Sequence, residues 1–245
     1  TFDPNNTKSV SPSLMRNPSV QDVYEPGSTG KIMTLAAALE EKKITPETVL
    51  TVPYAIKRGG DTFHDHEHHP VQHLTTSGIL AVSSNTGTIQ IGEMLSNNTL
   101  HDYLSKFGIG SSTGSGLPGE SKGLFRDVSD WSGTTAPTVA FGQGYSVTAM
   151  QATSVFATIA NDGVRVSPTV IAGTSDSSGK YTAASSRTNQ RVVSPETAQQ
   201  LRIMMESVVS AQGTAPSAAI PGYRVAGKTG TAMRYDSGCG CYSGY

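Results

Sequence analysis

Charge is scarce in this sequence: Asp, Glu, Lys and Arg make up 15% of its 245 residues, against roughly 25% in an average soluble domain. With a formal net charge of −1, there is little material for a nucleic-acid surface or a basic membrane-binding face. No apolar run approaches the roughly 18 residues that cross a bilayer. Residues 1–25 lack the basic start and apolar core of a signal peptide, so any anchor or signal is expected outside this chain. Cysteine occurs only at Cys239 and Cys241. Two thiols cannot complete a four-ligand zinc site, and a bridge across one glycine would be strained. A vicinal-type disulfide and free thiols both stay open, and the redox compartment is not readable from them. The single tryptophan, Trp131, is expected to pack rather than to bind. The length suffices for one large or two small domains with a substantial core.

What is present alternates helical runs with loops. Residues 1–24, broken by prolines, read as extended loop. An Ala/Leu-rich helix follows Ser28 to about Lys42, stopping before Pro46. Val49–Tyr54 reads as a short strand, Leu74–Val82 as a short helix and Thr86–Leu95 as another. Thr99 is the expected N-cap of Leu100–Phe107, with Gly108 as its stop. Residues 108–146 read as Gly/Ser-rich loop. Thr148 and Gln151 form a capping-box pattern for a helix through Ala160. Val164–Val170 alternates like a strand, 172–190 like a hairpin excursion, and Ser194-Pro195 opens a helix with proline at its first position. Tyr223–Thr231 is expected as a strand. The class is α+β, with a helical subdomain over roughly 43–160.

Two clusters invite chemistry. Ser28 and Lys31 stand three apart where a loop becomes a helix, so they share a face, and a neutral lysine can serve as base for an otherwise unreactive alcohol. The helix start also aims N–H groups and a positive dipole at any anion beside Ser28. Alone, this pattern is more often a helix cap beside a solvated lysine. The second cluster is His64-Asp65-His66-Glu67-His68-His69, with His73 behind it. Its spacing matches no helical two-histidine metal motif, and it reads as an exposed, pH-sensitive loop; no metal and no cofactor is expected.

Two later motifs change the reading of Ser28. In order, the chain holds Ser28-x-x-Lys31, Ser83-x-Asn85 and Lys228-Thr229-Gly230, the set used by penicillin-binding proteins and class A β-lactamases. Glu25-Pro26-Gly27-Ser28-Thr29, Gly78 to Asn85, Phe141-Gly142-Gln143-Gly144-Tyr145 to Thr148, and Ala226 to Ala232 resemble the transpeptidase domain of monofunctional, class B penicillin-binding proteins, closest in detail to actinobacterial members. The resemblance covers essentially the whole chain.

It implies a penicillin-binding-protein or serine β-lactamase-like fold, an antiparallel sheet flanked by helices, and peptidoglycan D,D-transpeptidation through a serine acyl-enzyme. Ser28 would be the nucleophile, Lys31 its base, Ser83 a proton relay, and Asn85 a holder of substrate amide and of Lys31. Lys228, Thr229 and Thr231 would bind the substrate carboxylate. The N–H groups of Ser28 and Thr231 would form the oxyanion hole, and Gly230 would let substrate lie along the strand. Implied partners are peptidoglycan stem peptides, β-lactam antibiotics and a membrane glycosyltransferase, with the catalytic domain on the extracytoplasmic side of a bacterial cell membrane. Rival readings are a D,D-carboxypeptidase, a β-lactamase using Glu120 for deacylation, and a non-catalytic β-lactam sensor. By the family pattern, the first and last strands of the sheet are expected outside residues 1–245.

Overall fold

The computed structural model describes the chain except for residues 1, 2, 4, 7, 9, 12, 13, 185–188, 232, 233, 237–240, 244 and 245. Cys239 and the side chain of Cys241 thus lie outside the described residues. A short helix α1 (Pro18–Gln21) precedes a 3-10 turn, Gly27–Gly30, which runs directly into α2 (Lys31–Glu40). Nine of the ten α2 residues are buried, because KIMTLAAALE is apolar almost all round and so suits a central helix rather than a surface one. Strand β1 (Val49–Val52), the hairpin β2 (Ala55–Arg58) and β3 (Asp61–His64), and β4 (Gln72–Thr75) follow. Then come α3 (Thr76–Ala81), α4 (Asn85–Gly92), α5 (Asn97–Lys106), α6 (Thr135–Ala140) and α7 (Ala149–Ala160). Next are β5 (Val164–Val166), β6 (Gly173–Ser175), β7 (Tyr181–Ala183), β8 (Asn189–Arg191) and α8 (Pro195–Val208). The last pair is β9 (Arg234–Asp236) and β10 (Cys241–Ser243).

Helix α2 packs against α4, α5 and α8, and Ile32, Leu35, Ile79, Ile91, Leu104, Ile159 and Leu201 form one core around it. Each such fully buried Leu or Ile contributes about 2 kcal/mol, which is what lets a lysine, Lys31, sit at 0% exposure in the same helix. Among the described residues the strands pair in five two-stranded antiparallel ladders, so the α+β class holds. The capping box at Thr148 and Gln151 and the Ser194 cap before Pro195 form as expected. So does the hairpin between 172 and 190, as β6 with β7. Trp131 packs against His101 and Phe125, and its indole N–H donates to Arg126 O at 3.1 Å.

Several boundaries differ from the sequence reading. Leu74 is not helical: it pairs with Leu50 across β1 and β4, and Thr75 caps α3 instead. Ser96, not Thr99, caps α5 by accepting from the Thr99 N–H, so two asparagines enter the first turn. The strand at Val164 ends at Val166, two residues before Pro168, which cannot donate to a ladder. The loop 108–146 contains α6, and the polar stretch after Tyr54 is the β2–β3 hairpin. Its two turn residues, Gly59 and Gly60, have φ of 57° and 97°, the positive values that two-residue hairpin turns require. The strand expected over Tyr223–Thr231 is not one. That segment runs without ladder partners among the described residues, tied instead by Gly227 N to Met205 O at 3.3 Å.

Candidate active site

Pro26 and Gly27 stop the preceding chain and start the 3-10 turn that holds Ser28. Gly27 donates its N–H to Gly142 O at 2.8 Å, and the Thr29 hydroxyl donates to Pro26 O at 2.7 Å. Ser28 is half-buried on this braced turn. No hydrogen bond ties its hydroxyl among the described residues, so it is free to meet a substrate. One turn later, the Lys31 amine does not bond Ser28. It donates to Ser83 O at 2.6 Å, Ser83 Oγ at 3.2 Å and Asn85 Oδ1 at 2.7 Å.

Ser83 sits between α3 and α4 with φ of 59°, a left-handed conformation that costs a non-glycine residue about 1 kcal/mol or more. The strain has a use: it breaks the helix so that both the carbonyl and the hydroxyl of Ser83 face Lys31. Ser84 caps α4 through the Gly87 N–H, making Asn85 the first helical residue. The Asn85 amide is oriented by its neighbours, since Oδ1 receives an amine while Nδ2 donates to His64 O at 3.0 Å.

From the opposite side, Lys228 Nζ donates to Ser83 Oγ at 2.8 Å and to Thr229 O and Oγ1, both at 3.1 Å. The Thr229 hydroxyl also meets the Thr214 hydroxyl at 2.7 Å, and Thr214 N donates to Ala81 O at 3.1 Å. Thr214 therefore ties the lysine-bearing segment to the end of α3. Gly230 lies so close to the turn holding Ser28 that a Cβ there would meet Thr29 Cγ2 at 2.8 Å. Thr231 follows, exposed.

Two amines thus converge on one hydroxyl. Burial pushes Lys31 down to about 7, helped by the charge on Lys228 and opposed by Asp65. Burial alone brings Lys228 down to about 8. Near neutral pH the pair holds a proton that Ser83 can pass, because its hydroxyl both donates and accepts. What the arrangement offers is a half-exposed alcohol, a buried lysine three residues on that readily gives up its proton, a relay, and a second lysine flanked by hydroxyls.

The comparisons with known proteins agree on where this belongs. Residues 1–245 match the model of the penicillin binding protein transpeptidase domain. The chain belongs to that transpeptidase family. It is 43% identical over 249 residues to penicillin-binding protein PbpB of Mycobacterium tuberculosis, covering 99% of this chain and 37% of that protein. It is 34% identical over 242 residues to peptidoglycan D,D-transpeptidase FtsI of Escherichia coli, covering 96% of this chain and 38% of that protein. The crystal structure of penicillin binding protein 3 from Mycobacterium tuberculosis, complexed with aztreonam, superposes with a TM-score of 0.90 at 44% identity, covering 93% of this chain and 52% of that one. The chain spans less than two fifths of the length of these curated relatives.

In this transpeptidase-family chain, Lys31, Ser83, Asn85, Lys228 and Thr229 form one hydrogen-bonded cluster; Ser28 lies on the turn just before Lys31, and Gly230 packs against the adjoining Thr29. Sequence reasoning missed Asp65 and Thr214. Asp65 stood inside the histidine-rich stretch, and only recognition of the Gly59-Gly60 turn would have brought it back toward Asn85. Thr214 carries no local signal. Of that stretch, His66, Glu67 and His68 are exposed while Asp65 is buried, and among the described residues no group of three His, Cys, Asp or Glu is arranged to hold a metal.

Glu120 is engaged by its own loop. Its carboxylate accepts from Thr113 N at 2.6 Å, from the Thr113 hydroxyl and from Ser115 Oγ at 3.2 Å. Burial raises its proton affinity, but these bonds outweigh burial and leave the carboxyl below its ordinary range. A base engaged in this way holds its own loop. Glu120→Gln is therefore expected to leave the lifetime of a penicilloyl adduct unchanged, measured by intact mass over time; a longer-lived adduct in the variant would give Glu120 the hydrolytic role.

Proposed function

We propose that residues 1–245 carry the catalytic centre of a peptidoglycan D,D-transpeptidase, acting on the extracytoplasmic side of a bacterial cell membrane beside a glycosyltransferase partner. The observation that carries the reading is the Ser83 hydroxyl shared by Lys31 and Lys228, a proton path between two lysines whose affinities are both lowered. Neutral Lys31 takes the Ser28 proton as Ser28 Oγ attacks the carbonyl between the last two D-alanines of a stem peptide. The backbone N–H groups of Ser28 and Thr231 hold the oxyanion, and Lys228 with the Thr229 and Thr231 hydroxyls holds the terminal carboxylate. The C–N bond breaks and the proton returns through Ser83 to the departing D-alanine nitrogen; an amine from a neighbouring strand then attacks the ester, gives up a proton to neutral Lys31, and that proton passes to Ser28 Oγ as the ester C–O bond breaks.

A β-lactam presents the same carbonyl and carboxylate in a ring that cannot depart, so it acylates Ser28 and stays. The complexes of the mycobacterial relative with aztreonam and with ampicillin support β-lactam binding at this site. Incubation with benzylpenicillin is expected to add one penicilloyl mass, mapped by peptide digestion to Ser28 and stable for hours. An adduct elsewhere, or none, would overturn the reading, and one lost within seconds would indicate a hydrolase.

A further inference from the structure

Beyond the serine and lysines stands a buried carboxylate to which the mechanism above gives no task. Asp65 follows β3 and is 6% exposed. Its Oδ1 accepts from the backbone N–H of Asn85 at 2.5 Å and of Thr86 at 2.9 Å. Its Oδ2 accepts from Ser84 Oγ at 2.7 Å and from His69 Nε2 at 3.0 Å, with Thr86 Oγ1 3.4 Å away. The single hydrogen of the Thr86 hydroxyl goes to Pro53 O at 2.7 Å, so four donors remain, enough to fill the roughly four lone-pair sites of the carboxylate. An ordinary cap does not require it, because Ser84 already caps α4. What Asp65 adds is location. Together with the neighbouring His64 carbonyl, it holds both the backbone N–H and the side-chain amide of Asn85, and the Asn85 carbonyl in turn receives Lys31.

The other side of the carboxylate is held by His69. One ring nitrogen faces Pro70 O at 2.7 Å and the other faces Asp65 Oδ2. Both partners only accept, so both nitrogens must donate and the ring is fully bonded only as a cation. The Pro70 bond first, and then Asp65, raise its proton affinity against desolvation. Around this pair stand the rings of Tyr54, His64 and His68, and beyond Asn85 stand the amines of Lys31 and Lys228.

We propose that Asp65 is a positioning residue for acylation of Ser28: it clamps the start of α4 to the β2–β3 hairpin, fixing Asn85 and through it the Lys31 amine, with His69 as the cation that holds the clamp. The role rests on the acyl-transfer reading above. Its negative charge also favours the protonated form of Lys31, against burial and Lys228.

The test is the rate of benzylpenicillin acylation against pH for the full chain and for Asp65→Asn and Asp65→Glu, each scaled to its folded fraction from thermal melts. The Asn variant is expected to acylate about 10- to 100-fold more slowly at its optimum, the cost of a loosened reacting geometry, and its acid limb moves to lower pH because Lys31 has lost a negative neighbour. The Glu variant keeps the charge but misplaces it, so its optimum stays low while its acid limb returns toward the native position. A native rate and native limb in the Asn variant, or a loss wholly explained by unfolding with the limb unmoved, would overturn the proposal. Should the Asn variant not fold, His69→Leu decides: slower acylation supports the clamp, and a native rate overturns it. Failure of the native chain to form the adduct removes the acyl-transfer reading itself, and this role with it, whereas a slow variant beside a reactive native chain separates the two.

Discussion

Lys31→Met is expected to slow acylation of Ser28 by about 10³-fold, within the range for a lost general base, while the chain still folds. Methionine matches the length and the apolar stem of a side chain that is 0% exposed, so packing is kept while the proton carrier and its bonds to Ser83 and Asn85 are lost. The native profile against pH is expected to be a narrow bell. The active form has Lys31 neutral and Lys228 charged, which places the acid limb near the lowered Lys31 value of about 7 and the alkaline limb near the Lys228 value of about 8; both limbs belong to the coupled pair. The variant should show neither the rate nor the acid limb. A rate within tenfold of native would mean that Ser28 has another base.

The same substitution has a signature in stability. Folded Lys31 titrates at about 7 and an ordinary lysine at 10.5, so between those values the unfolded chain binds a proton that the folded chain does not. Stability therefore rises with pH across that window and is flat, as far as Lys31 is concerned, below it. Lys228 adds a smaller rise above about 8, which Lys31→Met retains. Urea midpoints measured from about pH 6 to pH 9 should rise more steeply in the native chain than in the variant. Equal slopes would mean that Lys31 is not held neutral.

What was legible in the sequence follows from how each feature is encoded. Ser28 and Lys31 lie three apart on one turn, and Ser83 and Asn85 flank a helix start, so local spacing suffices to name them. The meeting of Lys31 with Lys228 spans 197 positions (228 minus 31) and became readable only through the family pattern of three motifs. Asp65 was hidden for a different reason. Its neighbours are four histidines and a glutamate that read as a solvated loop, and most of them are solvated; its own burial comes from the tight turn at Gly59-Gly60, which folds β3 back beside α4. Elements that rest on capping chemistry, such as α7 and α8, were readable, whereas Leu74 took its conformation from a partner strand that no local rule supplies.

Gly142→Ala is expected to be the most damaging change outside the reacting groups. Gly142 has φ of 96°, and a Cβ there would lie 1.8 Å from Gly27 O and 2.7 Å from Gly27 C. The obstacle is backbone rather than a side chain that can turn away, and it is the backbone immediately before Ser28. Gly27 N also donates to Gly142 O, so the two turns interlock and neither can retreat without breaking that bond. Gly60 provides the control, with nearly the same φ of 97° but open space where its Cβ would go. Gly60→Ala should cost only the left-handed strain, about 1 kcal/mol, with acylation intact. Gly142→Ala adds the collision and the lost bond, for about 3 kcal/mol or more, and the protein that remains folded should acylate slowly because the turn holding Ser28 has moved. Urea unfolding and penicillin acylation of the two variants side by side measure the difference. Equal behaviour would mean that Ser28 does not depend on the loop at Gly142 for its place.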